Sequence, residues 1–398
     1  MTAKELIELE NRYGAHNYHP LDVVLTKGEG VWVYDTDGKK YLDCLSSYSA
    51  LNQGHCHPRL VKVMQEQATK LTLTSRAFRN DQLGPFCKEI CEFTGYEKAL
   101  PMNSGAEGVE TAIKAVRKWG HKVKGIPENK AEIITMSGNF HGRTTTVISF
   151  STENEYKDGF GPFTPGFITV PYGDFEALEK VVNPNTAAIL LEPIQGESGI
   201  VVPQDGYLRK ISELCKKERI IFIADEIQTG LGRTGKLLAC DHEGVRPDAL
   251  ILGKALAGGF YPVSVFLASK EVMDVFRPGD HGSTFGGNPL GIALAREAIH
   301  IISEENLIEN ATVQGEYFMK RLRDMNSPHV DIVRGKGLLI GVVLNEKAGG
   351  ARQFCEALEK RGVLCKETHY NIIRFAPPLV IKKEEIDWAM EQIEAVLK

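Results

Sequence analysis

Between residues 95 and 270 the chain alternates short, continuous apolar runs with longer segments whose apolar residues recur every three or four positions. Short runs that are apolar throughout are typical of strands buried on both faces, and the longer segments have the spacing of helices. Strands that alternate with helices favour a mainly parallel sheet covered by helices, so the pattern predicts an α/β fold. The runs are AEIITMS, FITVPY, TAAILLEP, RIIFIADE and DALILGK.

The two ends of the chain have different patterns. Near the N-terminus, GEGVWVYDTDGKKYLDCL alternates apolar and polar residues around Asp37 and Gly38, which predicts a β hairpin. Towards the C-terminus a helix is predicted from about Pro289 to Glu304, followed by strands and helices of a smaller α+β domain. We therefore expect an N-terminal segment with a hairpin over 1–40, a large domain over 41–288 and a small domain over 289–398.

Composition narrows the classes of function. The 398 residues carry a net charge of −5 without a block of lysine and arginine, which argues against a nucleic-acid partner. No apolar stretch is long enough to cross a bilayer, and the first residues have neither signal-peptide nor transit-peptide features. The eight cysteines are spread singly without metal-ligand spacing, which predicts reduced thiols, no metal site and a cytoplasmic protein. Small polar molecules are the expected partners.

Charged residues stand at the carboxyl ends of three predicted strands, the edge at which α/β sheets bind ligands. Glu192, Asp225 and Lys254 have this position. A buried carboxylate such as that of Asp225 needs a cation or hydrogen bonds, and a purely structural ion pair would satisfy it equally well. Lys254 either extends its amine to water or has it neutralised by chemistry. If the last two strands are neighbours, Asp225 and Lys254 will face one small molecule.

The segment PMNSGAEGVETAIKAVRKWG predicts a helix that begins near Gly105. Ser104 and Glu107 have the spacing of a capping box, and the free N–H groups of a helix N-terminus bind phosphate where glycine admits it. A capped helix without a ligand is the alternative. An amine, a carboxylate and a phosphate site together suit pyridoxal 5′-phosphate, which requires a Schiff-base lysine and an acid near its pyridine nitrogen. Neither the dinucleotide-binding nor the Walker glycine pattern is present.

Longer motifs extend over nearly the whole chain. They include LSSYSALNQGHCHP, NFHGRT, LEPIQGESG, ADEIQTGLGRTG, LGKALAGG, HGSTFGGNP and RFAPPLVI. These motifs resemble the class III pyridoxal-phosphate-dependent aminotransferases, and among them the enzymes that act on ornithine. The resemblance implies a fold-type I PLP-dependent transferase, with a mainly parallel sheet in a large domain and a smaller α+β C-terminal domain.

The resemblance implies roles for residues around the cofactor. Lys254 is expected to form the covalent link to pyridoxal phosphate and to move the substrate proton, while Asp225 pairs with the pyridine nitrogen. Gln228 is expected beside the phenolic oxygen of the cofactor, and Phe140 stacked on its ring. The phosphate is expected to contact two segments, with residues Ser104, Gly105, Ala106, Ser283 and Thr284. The second segment would reach a neighbouring subunit, which implies a homodimer with shared active sites and allows a higher oligomer.

The resemblance also implies a set of substrate residues. Tyr18 and Arg143 are expected at the α-amino and carboxylate end of ornithine, with Tyr48 beside the substrate. Arg374 would bind the α-carboxylate of glutamate or 2-oxoglutarate, and Arg143 the distal carboxylate, because a guanidinium matches a carboxylate with two hydrogen bonds. Ornithine that reacts through its δ-amine has no carboxylate at Arg374. Glu197 is therefore expected to neutralise Arg374 and to move away when the dicarboxylate binds.

The expected reaction is transfer of the δ-amino group of ornithine to 2-oxoglutarate, which gives glutamate 5-semialdehyde and glutamate. The alternatives are an ω-aminotransferase for N-acetylornithine or 4-aminobutyrate, a PLP-dependent decarboxylase or mutase, and a ligand-binding relative without catalysis. Two positions depart from the family pattern. His141 stands where some relatives have an aromatic residue, and MNSGAEG replaces the more usual Thr-Gly-Ala-Glu-Ala. Both concern the geometry around the cofactor more than the type of reaction.

Overall fold

The computed structural model describes all residues from Met1 to Lys398. The strands are β1 (Leu25–Glu29), β2 (Trp32–Asp35), β3 (Lys40–Asp43), β4 (Lys98–Met102), β5 (Glu132–Met136), β6 (Phe167–Val170), β7 (Thr186–Leu191), β8 (Ile221–Asp225), β9 (Ala249–Leu252), β10 (Ser264–Ala268), β11 (Val330–Lys336), β12 (Leu339–Leu344), β13 (Val363–Leu364), β14 (Lys366–Thr368) and β15 (Ile372–Phe375).

The helices surround and connect these strands. They are α1 (Ala3–Tyr13), α2 (Ser46–Ser49), α3 (Pro58–Ala68), α4 (Leu83–Thr94), α5 (Gly105–Trp119), α6 (Thr145–Ile148), α7 (Phe175–Val181), α8 (Tyr207–Glu218), α9 (Lys270–Met273), α10 (Pro289–Glu304), α11 (Leu307–Asp324), α12 (Arg352–Lys360) and α13 (Lys383–Leu397). None of them is long and apolar enough to cross a membrane.

A seven-stranded sheet forms the centre of the molecule, in the order β4-β10-β9-β8-β7-β5-β6. The five apolar runs of the sequence form β5 to β9, and every pairing among them is parallel. The prediction of a mainly parallel α/β sheet is therefore confirmed. The sheet also contains β4 and β10, which the sequence pattern does not single out, and β10 runs antiparallel to both of its neighbours.

Both faces of the central sheet are buried, which explains why its strands are apolar throughout. Along β9, Ile251 belongs to the core shared with α5, whereas Leu250 and Leu252 belong to the larger core on the opposite face. The predicted helix α5 begins at Gly105, and Ser104 and Glu107 form the expected capping box. The helix N-terminus is thereby held at the edge of the sheet where the strands end.

Two four-stranded sheets lie outside the central one, in the orders β1-β2-β3-β13 and β11-β12-β15-β14. The hairpin predicted at Asp37 and Gly38 is confirmed, because β2 and β3 pair antiparallel around this turn. The predicted helix from Pro289 to Glu304 is also confirmed as α10. Strand β13 adds a parallel edge to β3, so a segment near the C-terminus completes the N-terminal sheet. The domain boundaries after residues 40 and 288 stay predictions.

The close contact between helix α11 and the turn that joins β11 to β12 can be tested by substitution. In α11, a Cβ on Gly315 would lie 2.1 Å from the backbone oxygen of Gly337, at the turn between β11 and β12. Gly315→Ala is expected to destabilise the fold by about 1–3 kcal/mol, because a backbone carbonyl cannot move aside as a flexible side chain can. The measurement is the thermal unfolding midpoint of each purified variant.

The matched control is Gly84→Ala, since Gly84 lies in the first turn of α4 and a Cβ there would have no neighbour within 4 Å. This variant is expected to gain up to about 1 kcal/mol, because alanine restricts the unfolded chain more than glycine does. Equal midpoints for the two variants would contradict the packing described for Gly315.

Candidate active site

One cavity lies at the carboxyl ends of the central strands. Strands β8 and β9 are parallel neighbours, and Asp225 pairs in register with Ile251, three residues before Lys254. The prediction that Asp225 and Lys254 face a common space is thus confirmed. Six of the predicted cofactor residues line this cavity, namely Gly105, Ala106, Phe140, Asp225, Gln228 and Lys254.

Lys254 has an unusual backbone as well as a buried amine. It begins the 3-10 turn Lys254–Ala257 with φ of 43°, in the left-handed region that residues other than glycine rarely adopt. Such conformations persist where the surroundings enforce them, often at functional sites. Burial lowers the pKa of Lys254 and outweighs the nearby carboxylates of Glu197 and Asp225. The amine is therefore neutral over a wider pH range than that of an ordinary lysine.

Asp225 is held by a buried histidine. Nδ1 of His141 lies 2.7 Å from Oδ2 of Asp225, and Oδ1 accepts the N–H of Ile227 at 3.1 Å. Burial alone would lower the pKa of His141, but the hydrogen bond and the charge of Asp225 outweigh it and raise the pKa. His141 therefore gives the Asp225 carboxylate a hydrogen-bond partner inside the cavity. In the sequence, His141 is recognisable only as a departure from the family pattern, and no local signal indicates this contact.

Glu192 is a second acid that the sequence analysis left without a role. It follows β7 and accepts the backbone N–H of Phe140 at 2.9 Å and that of Gly196 at 3.4 Å. Burial raises the pKa of Glu192 to about 7, against the opposing charge of His141. Its position at a strand end was visible in the sequence, whereas its contact with Phe140, in the loop that follows β5, was not.

The cavity fits a flat ring that carries an anionic group. At the N-terminus of α5, a Cβ on Gly105 would lie 3.0 Å from Ile227, and one on Gly142 would lie 2.8 Å from the Cβ of Ala106. Glycine therefore leaves backbone N–H groups accessible where the helix dipole favours an anion. Oε1 of Gln228 is buried without a hydrogen-bond partner in the same cavity. One cavity therefore contains an amine, an acid, an aromatic side chain and a site for an anion.

Beside this cavity, Arg374 and Glu197 form the pair that the resemblance implied. Nη1 of Arg374, on β15, donates to Oε1 of Glu197 at 2.7 Å, and Gln228 donates to the same oxygen at 3.2 Å. Only 2% of the Arg374 side chain is exposed. Burial would raise the pKa of Glu197, but the charge and hydrogen bond of Arg374 outweigh it and lower the pKa to about 2. Tyr48 packs over Arg374, with 4.8 Å from its ring centre to Cζ.

Arg143 differs from Arg374 in its exposure and in its lack of an acidic partner. It is exposed, and no carboxylate forms a salt bridge with it. Its Cζ lies 4.0 Å from the ring centre of Tyr156 and 5.8 Å from that of Phe140. Aromatic rings therefore orient this guanidinium while its donors stay free.

Eight of the predicted residues do not line the Lys254 cavity, namely Tyr18, Tyr48, Ser104, Arg143, Glu197, Ser283, Thr284 and Arg374. Ser104 lies next to it, lining an adjoining cavity that Lys254 shares. Tyr18 is 72% exposed and lines a neighbouring cavity together with Tyr48. Ser283 accepts a hydrogen bond from Asn103 at 2.8 Å, and Thr284 is exposed.

Comparison with known proteins places this chain in a family. Residues 13–397 match the family model for class-III aminotransferases. The chain belongs to the class III aminotransferases. A class III relative named ornithine aminotransferase, from Brevibacillus brevis, is 57% identical over 392 residues, which are 98% of each chain. The ornithine aminotransferase of Bacillus subtilis is 54% identical over 396 residues, covering 100% of this chain and 98% of its own.

Solved structures of class III aminotransferases have the same fold. The ornithine aminotransferase from Toxoplasma gondii, with partial occupancy of PLP at its active site, has a TM-score of 0.98 and 44% identity, covering 100% of this chain and 94% of its own. The acetylornithine aminotransferase from Elizabethkingia anophelis has a TM-score of 0.91 and 50% identity, covering 100% of this chain and 99% of its own. The predicted fold class is thereby confirmed.

The pKa of Glu197 predicts how acid affects stability. Because its pKa in the folded protein is below the ordinary 4.5, the carboxylate stabilises the fold above about pH 5, and this contribution is lost as pH falls towards 2. Glu197→Gln is expected to cost roughly 1–3 kcal/mol near neutral pH, since Arg374 stays buried without its counter-charge. The cost should shrink in acid, as measured by unfolding midpoints over a pH series.

A matched control uses an acid of an exposed pair. Glu8 lies 3.9 Å from Lys4 on α1 with most of its side chain in water. Glu8→Gln is expected to leave the midpoint nearly unchanged at every pH, because exposed ion pairs contribute little. A cost for Glu197→Gln that does not change with pH would contradict the assignment of the low pKa to this pair.

Proposed function

We propose that this chain is an ornithine 5-aminotransferase that uses pyridoxal 5′-phosphate. It transfers the δ-amino group of ornithine to 2-oxoglutarate and produces glutamate 5-semialdehyde and glutamate. The names of the relatives described above support this reaction. The main structural support for this reaction is the difference between the two arginines. Arg374 is neutralised by Glu197, whereas Arg143 has no acidic partner.

The two arginines suit two substrates of different charge. Arg143, with Tyr18, receives the α end of ornithine, so that the δ-amine points to Lys254 and the aliphatic chain lies beside the neutralised Arg374. A dicarboxylate instead requires both guanidinium groups, the α-carboxylate at Arg374 and the distal one at Arg143. Glu197 then gives up its contact with Arg374. Tyr48 lies beside both substrates.

Pyridoxal phosphate supplies the carbonyl that combines with the donor amine and a ring that withdraws electrons from the reacting carbon. Lys254 would hold it covalently, and Nζ of Lys254 would then carry the proton from the donor carbon, a task that its lowered pKa favours. The carboxylate of Asp225, hydrogen-bonded to His141, would pair with the pyridine nitrogen and favour its protonated form. Phe140 would cover one face of the ring, and Gln228 would contact its phenolic oxygen, since both line the cavity.

The cradle at the start of α5 binds the phosphate through Ser104, Gly105 and Ala106. Ser283 and Thr284 complete it from a second subunit, which makes the enzyme a homodimer with shared active sites. The position of both residues outside the Lys254 cavity of their own chain supports this arrangement. Eight free cysteines support a location in the reducing cytoplasm. Light scattering of the purified protein tests the dimer.

The reaction is tested with purified protein, ornithine and 2-oxoglutarate, and with detection of the cyclised product of the semialdehyde. N-acetylornithine is the second candidate donor, because the Elizabethkingia anophelis relative bears that name at 50% identity. Equal concentrations of N-acetylornithine and 4-aminobutyrate are therefore assayed in parallel. Turnover of N-acetylornithine without turnover of ornithine would overturn the proposed donor.

Lys254→Ala is expected to abolish the visible absorption of the covalently held cofactor and to reduce turnover roughly 100-fold or more. The physical reason is that one amine provides both the covalent link and the proton transfer. The control is Lys270→Ala, an exposed lysine at the start of α9. A Lys254→Ala enzyme that keeps both the absorption and the turnover would mean that another lysine is the anchor.

Glu197→Ala is expected to raise the preference for glutamate over ornithine by about tenfold, because the unmasked Arg374 attracts an α-carboxylate. The measurement is the single-turnover rate of each donor separately, for the wild type and the variant. Glu367→Ala is the control, since Glu367 lies on β14 and pairs with Lys366 and Arg352 instead. If Glu197→Ala slows both donors by one common factor, Glu197 does not select between them.

A further inference from the structure

We propose that Asp43 and His55 are positioning residues that hold Tyr48 over Arg374 and thereby sustain the preference for ornithine. The proposal rests on the proposed function, because it assigns donor choice to the same site. Neither residue lines the Lys254 cavity. Their effect passes through the backbone of α2, the single turn that carries Tyr48.

Helix α2 is a left-handed turn, a conformation that residues other than glycine rarely adopt. Its four members have positive φ angles, of 51° at Ser46, 49° at Ser47, 61° at Tyr48 and 73° at Ser49. A left-handed turn brings each Cβ close to the following carbonyl oxygen, so four consecutive non-glycine residues carry a considerable strain. Such a turn persists only where neighbouring groups enforce it.

Asp43 supplies the side-chain hydrogen bonds that enforce the turn. Its Oδ1 accepts the backbone N–H groups of Leu45 at 2.9 Å and Ser46 at 2.8 Å, at the point where the chain enters α2. The serine hydroxyls give no comparable support, since Oγ of Ser46 and Oγ of Ser49 are buried without partners. The hydrogen bonds of Asp43 therefore determine how the turn starts.

His55 fixes Asp43 from the other side. Nε2 of His55 lies 2.7 Å from Oδ2 of Asp43, and both side chains are largely buried. The backbone of His55 is itself anchored, because it exchanges two hydrogen bonds with Gly30, of 2.7 and 3.0 Å. Oδ1 of Asp43 thus binds the backbone of the turn, and Oδ2 binds the anchored His55. Both sets of contacts hold the carboxylate in one orientation.

The backbone of α2 determines where the ring of Tyr48 lies. The ring centre of Tyr48 lies 4.8 Å from Cζ of Arg374, which pairs with Glu197 at 2.7 Å. No hydrogen bond to the Tyr48 hydroxyl accompanies this stacking, so the backbone of α2 is what keeps the ring on the guanidinium. If the turn relaxes to ordinary φ angles, the ring leaves Arg374 and one side of the Arg374–Glu197 pair is uncovered.

The test is a double-mutant cycle on donor preference. The ratio of kcat/KM for ornithine to that for glutamate is measured for His55→Phe, for Tyr48→Ala and for the double variant. We expect each single variant to lower this ratio, by roughly threefold to tenfold, and the double variant to go no lower than Tyr48→Ala alone. His55→Gln keeps a donor for Asp43 and is expected to restore most of the wild-type ratio.

Asp35→Ala is the matched control. Asp35 accepts the N–H groups of Asp37 and Lys39 at 2.9 Å each and the Tyr41 hydroxyl at 2.8 Å, so it enforces a different turn in a similar way. It is expected to lower the unfolding midpoint without changing the donor ratio. Independent, multiplicative effects in the cycle, or an equal change of ratio for Asp35→Ala, would overturn the proposal.

A crystal structure of the His55→Phe variant gives a second readout that does not depend on the reaction. We expect residues 46–49 to leave the left-handed region and the Tyr48 ring to move off Arg374. A turn and ring unchanged from those described here would overturn the proposal. A wild-type enzyme that does not convert ornithine would refute the proposed function instead, and the variant structure would still decide whether Asp43 and His55 position Tyr48.

Discussion

Burial of charge is the constraint on which this active site depends. Three neighbouring strands, β7, β8 and β9, end at one cavity and bring Glu192, Asp225 and Lys254 into it. Away from bulk water an ionised group needs a partner, and a group without one becomes neutral. Asp225 has His141 as its partner, whereas burial raises the pKa of Glu192 and lowers that of Lys254. The cavity thus combines a carboxylate that has a histidine partner with an amine that loses its proton more readily than an ordinary lysine, and proton transfer at a carbon requires such an amine.

The same constraint separates the two arginines. Arg374 is buried and therefore needs Glu197 whenever no substrate carboxylate is present, while Arg143 is hydrated and needs no partner. A buried counter-charge can be exchanged for a substrate carboxylate at little net cost, because the guanidinium is paired both before and after. A single pocket can then receive a cationic amino acid and a dicarboxylate in turn, with the aromatic cover of Tyr48 in place for both.

The sequence predicts the parts of the structure that local patterns control. Continuous apolar runs identify β5 to β9, and a capping box identifies the start of α5. Contacts between distant segments leave no such pattern, which is why the His141–Asp225 hydrogen bond and the pairing of β3 with β13 were not predicted. The left-handed α2 escapes prediction for another reason, because serine and tyrosine have no preference for positive φ and tertiary contacts impose it. The family resemblance implies that Ser283 and Thr284 act on a second chain, and these roles stay predictions.

The pairing of β3 with β13 has a consequence for how the protein is made. Strand β3 leads directly into Asp43 and α2, yet its outer neighbour, Val363–Leu364, lies more than 300 residues further along the chain. During synthesis from the N-terminus, the ribosome must complete nearly the whole polypeptide before this neighbour emerges. The hydrogen bonds from Leu42 and Cys44 to Gly362 and Leu364 therefore form late. A nascent chain stalled before this point would hold the central sheet but lack the finished N-terminal one, and so could not yet bind its substrates in their final geometry.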